Sequence, residues 1–219
     1  MTISAPFNKQ GDFEVVPSGN HLARVYSIVH IGTIAGEYMG TPQMTDMVRI
    51  TFELPTVTKE FKEGEGEKPF SVSRDYTNSM SEKANLYALV EGMLGGFSNA
   101  NENEVFNVLD LMGKSCLLNV IHKTAKASGN QYALIQGASP LPQGMEMPEA
   151  VNKEFILDFN DNWSNEKFES LPDFIKDKIK GSNEYKGLKG VPFADDVTVT
   201  PEPTPEYPVQ DSTNNSDKF

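Results

Sequence analysis

From His21 to Ala138 the hydrophobic pattern runs at a period of two, switches once to a period of three to four, and then returns to two. Strand side chains alternate between faces while helical ones recur every 3.6 residues, so this order specifies strands interrupted by one helix. In His21–Ile31, Ala23, Val25, Ser27, Val29 and Ile31 fall on one face, and Arg24, Tyr26 and His30 on the other. Gly32–Pro42 is glycine-rich and is expected to be a flexible loop carrying Tyr38 and Met39. A second strand, Met44–Leu54, sets Val48, Ile50, Phe52 and Leu54 against Met47, Arg49, Thr51 and Glu53, and Pro55 is expected to end it. The run Lys59–Pro69 is too polar to bury and leads to a third strand, Phe70–Thr77. No Gly-Lys-Ser/Thr follows its glycines, so it is not a phosphate loop.

The single helix comes next. Ser79 with Glu82 matches a capping box, Leu86, Leu89, Val90 and Met93 recur at helical spacing, and Gly95-Gly96 stops the run. A short piece near Asn103–Met112 has some helical character. Ser115–Lys123 and Gln131–Ala138 read as a fourth and fifth strand around the turn signal Ser128-Gly129-Asn130, before Pro140 and Pro142. The order β-β-β-α-β-β over about 120 residues is that of a five-stranded OB-fold barrel, mostly β with one inserted helix. An SH3-like barrel lacks that helix, and a ferredoxin-like fold needs a helix after its first strand.

Residues 1–143 are therefore read as the barrel and 144–190 as a C-terminal extension packing on it. In the extension, Phe155, Leu157 and Phe159 suggest a short strand, and Ser170-Leu-Pro-Asp173 caps a helix that Gly181 ends. Residues 191–219 are Pro, Thr, Asp, Glu, Asn and Ser in the main, cannot bury enough surface to offset chain entropy, and are expected to be a disordered acidic tail. The formal charge of −12 is unevenly spread, with six acids against one base after Gly190. What remains in front is still acidic, so any surface for a polyanion must be a local patch.

Several chemistries lack their materials. No stretch of eighteen apolar residues is present, and Met1–Gly11 has neither the basic start nor the apolar run of a signal peptide, so a soluble, intracellular protein is expected. Cys116, alone, excludes an intrachain disulfide and is expected in the core. The three histidines, His21, His30 and His122, give no zinc-binding spacing, there is no GxSxG, and neither metal nor other cofactor is expected. A metal-dependent nuclease using Asp46, Glu53 or Asp75 is the weakest alternative, and a barrel that binds protein or carbohydrate, as a virion or assembly component, is the stronger one.

Single-strand binding asks instead for aromatic faces and cations with little demand on spacing. On an OB barrel the ligand crosses strands two and three between the loops joining strands one to two and four to five. That mapping selects Arg24, Tyr26, His30, Tyr38, Arg49, Arg74, Tyr76, Lys123, Lys126 and Tyr132. Each has an ordinary alternative: Tyr26 and Tyr76 as packing under the extension, Arg49 and Arg74 as partners of Glu53 or Asp75, Lys123 and Lys126 as solubilising charges at a hairpin tip.

The segments GNHLARVYSIVHIGTI, VRITFELP, SRDYTNSMSEKANL, GKSCLLNVIHK, SPLPQGMEMPEAVN and FESLPDFIKDKIKGSNEY, in that order across about residues 12–186, resemble the single-stranded DNA-binding proteins of tailed bacteriophages. The resemblance implies a non-enzymatic OB-fold coat for single strands exposed in replication, recombination and repair, in the cytoplasm of the infected bacterial host. It also implies an acidic tail with an aromatic end that occupies the groove when DNA is absent and recruits replication or recombination proteins. Phe219 would supply that end and Asp217 its nearest acid, although Lys218 intervenes where commoner bacterial tips have consecutive acids.

Overall fold

The computed structural model describes residues 15–38, 40–96, 105–126 and 129–188. Within them the chain forms β1 (Gly19–Tyr38), β2 (Thr41–Glu60), β3 (Glu67–Thr77), α1 (Asn85–Leu94), a 3₁₀ turn (Val108–Leu111), β4 (Ser115–Thr124), β5 (Gln131–Ser139), β6 (Phe155–Leu157), α2 (Asn165–Glu169), α3 (Asp173–Lys180) and α4 (Asn183–Leu188). The protein is mostly β, an antiparallel sheet in the order β3-β2-β1-β4-β5, with β6 added parallel to β1. β3 and β5 are its edges. No backbone ladder joins them among the described residues, but the Arg74 guanidinium on β3 donates to the Ile135 carbonyl on β5 at 2.7 Å.

β1 carries the architecture because two irregularities, at Tyr26 and at Ile31, interrupt its pairing with β2. An extra residue in one strand flips every side chain beyond it to the opposite face. Ala23, Val25 and Ile28 therefore join the sheet core with Val48, Ile50, Phe52 and Leu54, whereas Val29 and Ile31 join a second cluster with Leu157, Phe168, Ile175 and Ile179. This corrects the single uninterrupted alternation expected for His21–Ile31. Side chains of this kind contribute about 1.5–3 kcal/mol each when fully buried, so the second cluster holds residues 155–188 firmly against β1.

Gly32 shows how close that packing is. Its φ is +89°, and a Cβ there would lie 2.6 Å from Glu184 Oε2 and 2.8 Å from the Ser182 Cβ. Glu184 also accepts from the Thr33 N–H and Oγ1, both at 2.6 Å. Only glycine lets α4 reach the strand in this way.

Other expectations are corrected by the same coordinates. Gly32–Pro42 is mostly paired strand, with Ile34 opposite Thr45 and Tyr38 opposite Thr41, so β1 and β2 continue as a two-stranded arm. Pro55 does not end β2. It sits in an irregular stretch between Leu54 and Thr58, where the missing N–H breaks no ladder, and pairing resumes through Glu60 opposite Glu67. α1 starts at Asn85 with no side-chain cap, the Ser79 hydroxyl accepting instead from the Ser81 N–H. Its buried face is Leu86, Leu89, Val90 and Met93, and Gly95 closes it in the left-handed conformation. The Ser170 side chain likewise bonds back to Lys167 rather than capping α3, whose N-cap position is Pro172. Cys116 is buried and unpaired, and burial pushes its thiol up to about 12. No helix among the described residues is long and apolar enough to cross a membrane.

Candidate nucleic-acid interface

β2 presents Met47, Arg49, Thr51 and Glu53 on the face turned away from the sheet core, and β3 presents Ser71, Ser73, Asp75 and Thr77 beside them. Two charged clusters stand on this outer face, four residues apart along β2, a separation of roughly 13 Å.

At one end, Glu53 is fully buried. Arg24 Nε lies 3.5 Å from its Oε1, while the Asn152 N–H and Nδ2 donate to its Oε2 at 2.9 and 3.0 Å. Arg24 also donates to the Pro148 carbonyl. The segment from Pro148 to Asn152 thus roofs a paired arginine and glutamate, and the pair is spent on holding that roof down.

The other end is built differently. Arg49 Nη1 contacts Asp75 Oδ1 at 2.6 Å, and Lys178 Nζ, from α3, contacts Asp75 Oδ2 at 2.7 Å. Two cations share one carboxylate. The Phe174 ring sits 5.3 Å from the Arg49 guanidinium and is 51% exposed. Phe174 and Lys178 lie one helical turn apart, while Ile175 and Ile179 bury the adjoining stripe of the same helix. Between the two ends runs a row of hydroxyls, with Tyr26 donating to Ser71 Oγ at 3.1 Å and Thr51 Oγ1 lying 3.1 Å from Ser73 Oγ.

Of the ten residues selected from the sequence, Arg24, Tyr26 and Arg49 share this face. Arg74 and Tyr76 do not. Tyr76 is 2% exposed, one of the core side chains, and burial raises its hydroxyl well above the ordinary tyrosine value against the opposing charge of Arg74. Arg74 lies over the Tyr76 ring at 5.2 Å and spans to β5. The Tyr76 ring is buried and the half-buried Arg74 is turned to the β5 side of the sheet, which corrects their placement on the outer wall. His30 points to the seam between the sheet and the C-terminal helices, where its Nε2 meets Asp46 Oδ1 at 2.6 Å and its ring meets the Phe159 edge.

The remaining four are set apart by topology. Tyr38 closes β1 at the tip of its arm with β2. Lys123 and Tyr132 face each other on the β4–β5 hairpin, and Lys126 is exposed in its turn, beyond the opposite end of β1. Asp217 and Phe219 lie outside the described residues, as does the rest of the tail.

Phe174, Lys178 and the hydroxyl row escaped sequence reasoning. The adjacent stripes on α3 were available as a signal, but nothing local says that β2 and β3 lie beneath that helix.

The acids named for a nuclease are dispersed: Asp46 is bound to His30 and Asn78, Glu53 is roofed, and Asp75 is held between two cations. No group of three potential ligands that could hold a metal ion occurs among the described residues. No family model and no curated protein matches the chain.

Proposed function

We propose that this chain binds single-stranded DNA on the outer face of β1–β3, as a non-enzymatic coat during phage DNA replication, recombination and repair in the cytoplasm of the infected host. The observation that carries the reading is the Arg49–Asp75–Lys178 cluster under a half-exposed Phe174 ring. It sets two cations beside an aromatic face for a base, the two materials that sequence-tolerant binding needs. The neighbouring hydroxyls of Thr51, Ser71 and Ser73 can bond a sugar–phosphate backbone without demanding a particular base.

The strand order supports the same reading. A helix between β3 and β4 matches the element order of an OB-fold barrel, and the β3 and β5 edges meet through the Arg74 side chain on the Ile135 carbonyl, with no backbone ladder among the described residues. The ligand path across β2 and β3 in such barrels coincides with the face just described. Here the C-terminal α3 forms part of that path, which makes residues 155–188 a component of the interface.

The test is an anisotropy titration of labelled oligo-dT with the full chain at low and high salt. Binding that weakens steeply with salt is expected, because phosphate contacts release counterions. Absence of binding at low salt would overturn the reading and leave a barrel that binds protein or carbohydrate, which the net charge of −12 favours.

A further inference from the structure

A second feature lies away from that face, where the interior of the sheet meets the C-terminal segment and residues 105–109. A cavity of about 330 Å³ opens there, at the lower end of the range for small-molecule pockets. Its floor is apolar and buried: Ile28 of β1, Val48 of β2 and Leu157 of β6. Phe106 supplies an aromatic wall, and the polar rim includes His30, Asn78 and Asp158.

The rim is unusual in what it offers. Among the described residues no lysine or arginine lines it, and its one group that can carry positive charge, His30, is already paired with Asp46. Asn78 gives one Nδ2 hydrogen to Asp46 at 2.7 Å, and its side chain brings a carbonyl acceptor to the rim beside the second N–H. His30 Nε2 is committed to Asp46 as well. Asp158 is an ionised acceptor: burial alone would raise its carboxyl, but bonds from the Asn162 side chain and from the Asn162 and Asn160 backbone, with His30 nearby, hold it below its ordinary value. An apolar slot beside a ring, edged by acceptors, suits a flat uncharged heterocycle that donates hydrogen bonds.

We infer that this cavity takes one unstacked nucleobase with an amino group at position 4 of a pyrimidine or position 6 of a purine, cytosine or adenine, with its sugar and phosphate left outside. The inference deepens the single-strand reading by giving the chain a preference among bases, and it rests on that reading for its biological use. The Asp158 carboxylate and the Asn78 carbonyl receive the amino N–H bonds, in the way that acidic side chains accept from cytosine N4. Thymine and uracil place a carbonyl at that position, and two acceptors then oppose each other.

The probe is the free nucleoside, which carries no phosphate. Full-length protein is titrated with cytidine and with uridine, followed by backbone amide NMR, at low and high salt. Cytidine is expected to shift resonances at His30, Asn78 and Phe106, saturably and independently of salt, and about tenfold more tightly than uridine, the factor a 1.4 kcal/mol edge contact gives. Asp158→Asn, which keeps an oxygen for the Asn160 and Asn162 N–H groups, is expected to remove most of that preference. Shifts confined to the Phe174 face, equal binding of the two nucleosides, or no shifts with cytidine would each overturn the inference. The two readings fail separately: salt-dependent oligo-dT binding without cytidine binding sinks the pocket alone, and cytidine binding without oligo-dT binding sinks the groove alone.

Discussion

The two charged clusters on the outer face of β2 are built from the same residue types and stand four positions apart, yet they do opposite things. At Arg24–Glu53 one cation meets one anion, the glutamate is fully enclosed, and Asn152 donates twice to its Oε2. At Arg49–Asp75–Lys178 two cations meet one anion, and an aromatic ring stands half exposed over them. The first is closed and serves the fold. The second leaves a ring and two half-buried cations at the surface, and what separates them is which part of the C-terminal chain arrives above each.

That contrast can be broken first at its closed end. Arg24→Met leaves Glu53 buried without its counter-charge, so unfolding in urea is expected to show a loss of about 3–5 kcal/mol. The double variant Arg24→Met, Glu53→Leu removes the stranded charge and should recover much of that loss. If Arg24→Met is stable but binds DNA poorly, the closed end is a ligand site and the comparison is wrong.

The open end predicts the reverse pattern. Phe174→Ala removes a ring that is 51% exposed, so it should weaken oligo-dT binding by about 1–3 kcal/mol, the range for one stacked base, with a smaller change in stability. Equal affinity at equal stability would remove α3 from the interface. Lys178→Ala is expected to act more gently, lowering the slope of log affinity against log salt by about 0.7, the value for one phosphate contact on a single strand. An unchanged slope would mean that Lys178 serves Asp75 alone.

Legibility in the sequence followed the range of the interactions involved. The alternation in Met47–Leu54 is faithful because β2 is regular there, and four inward residues were placed correctly. The irregularity at Tyr26 has no local signature, so the second face of β1, and with it the docking surface for α2–α4, stayed hidden. The β1–β2 arm was taken for a loop because an exposed two-stranded ribbon buries too little to leave a hydrophobic period. Tyr76 and Arg74 are legible in the sequence: counting by twos from Phe70 and Val72 puts both on the inner face, whereas an outer wall of rings and cations on β3 requires the opposite parity. Phe174 could be found only once α3 was known to cross β2 and β3, a contact between segments more than a hundred residues apart along the chain.

The open end depends on residues 155–188 staying docked, and His30 is a titratable point of that contact, facing Asp46 from β2, Asp158 from the turn after β6, and Glu184 from α4. Burial alone would lower its pKa, but the Asp46 bond and the three carboxylate charges outweigh it and raise it above 6.5. A raised histidine contributes stability that is fully present below its unfolded value and is lost as pH rises through the folded one. The carboxylates of Asp46, Asp158 and Glu184 are lowered, burial being outweighed by their hydrogen bonds and His30, so their contribution is present above their ordinary values and lost in acid. Thermal unfolding at constant ionic strength should therefore show a plateau at roughly pH 5 to 6 and a decline as pH rises through and beyond neutrality. His30→Gln should abolish the decline on the neutral side while leaving the acid side in place, and a wild-type profile equally flat above pH 6 would remove His30 from the contact that docks residues 155–188 and holds the open end.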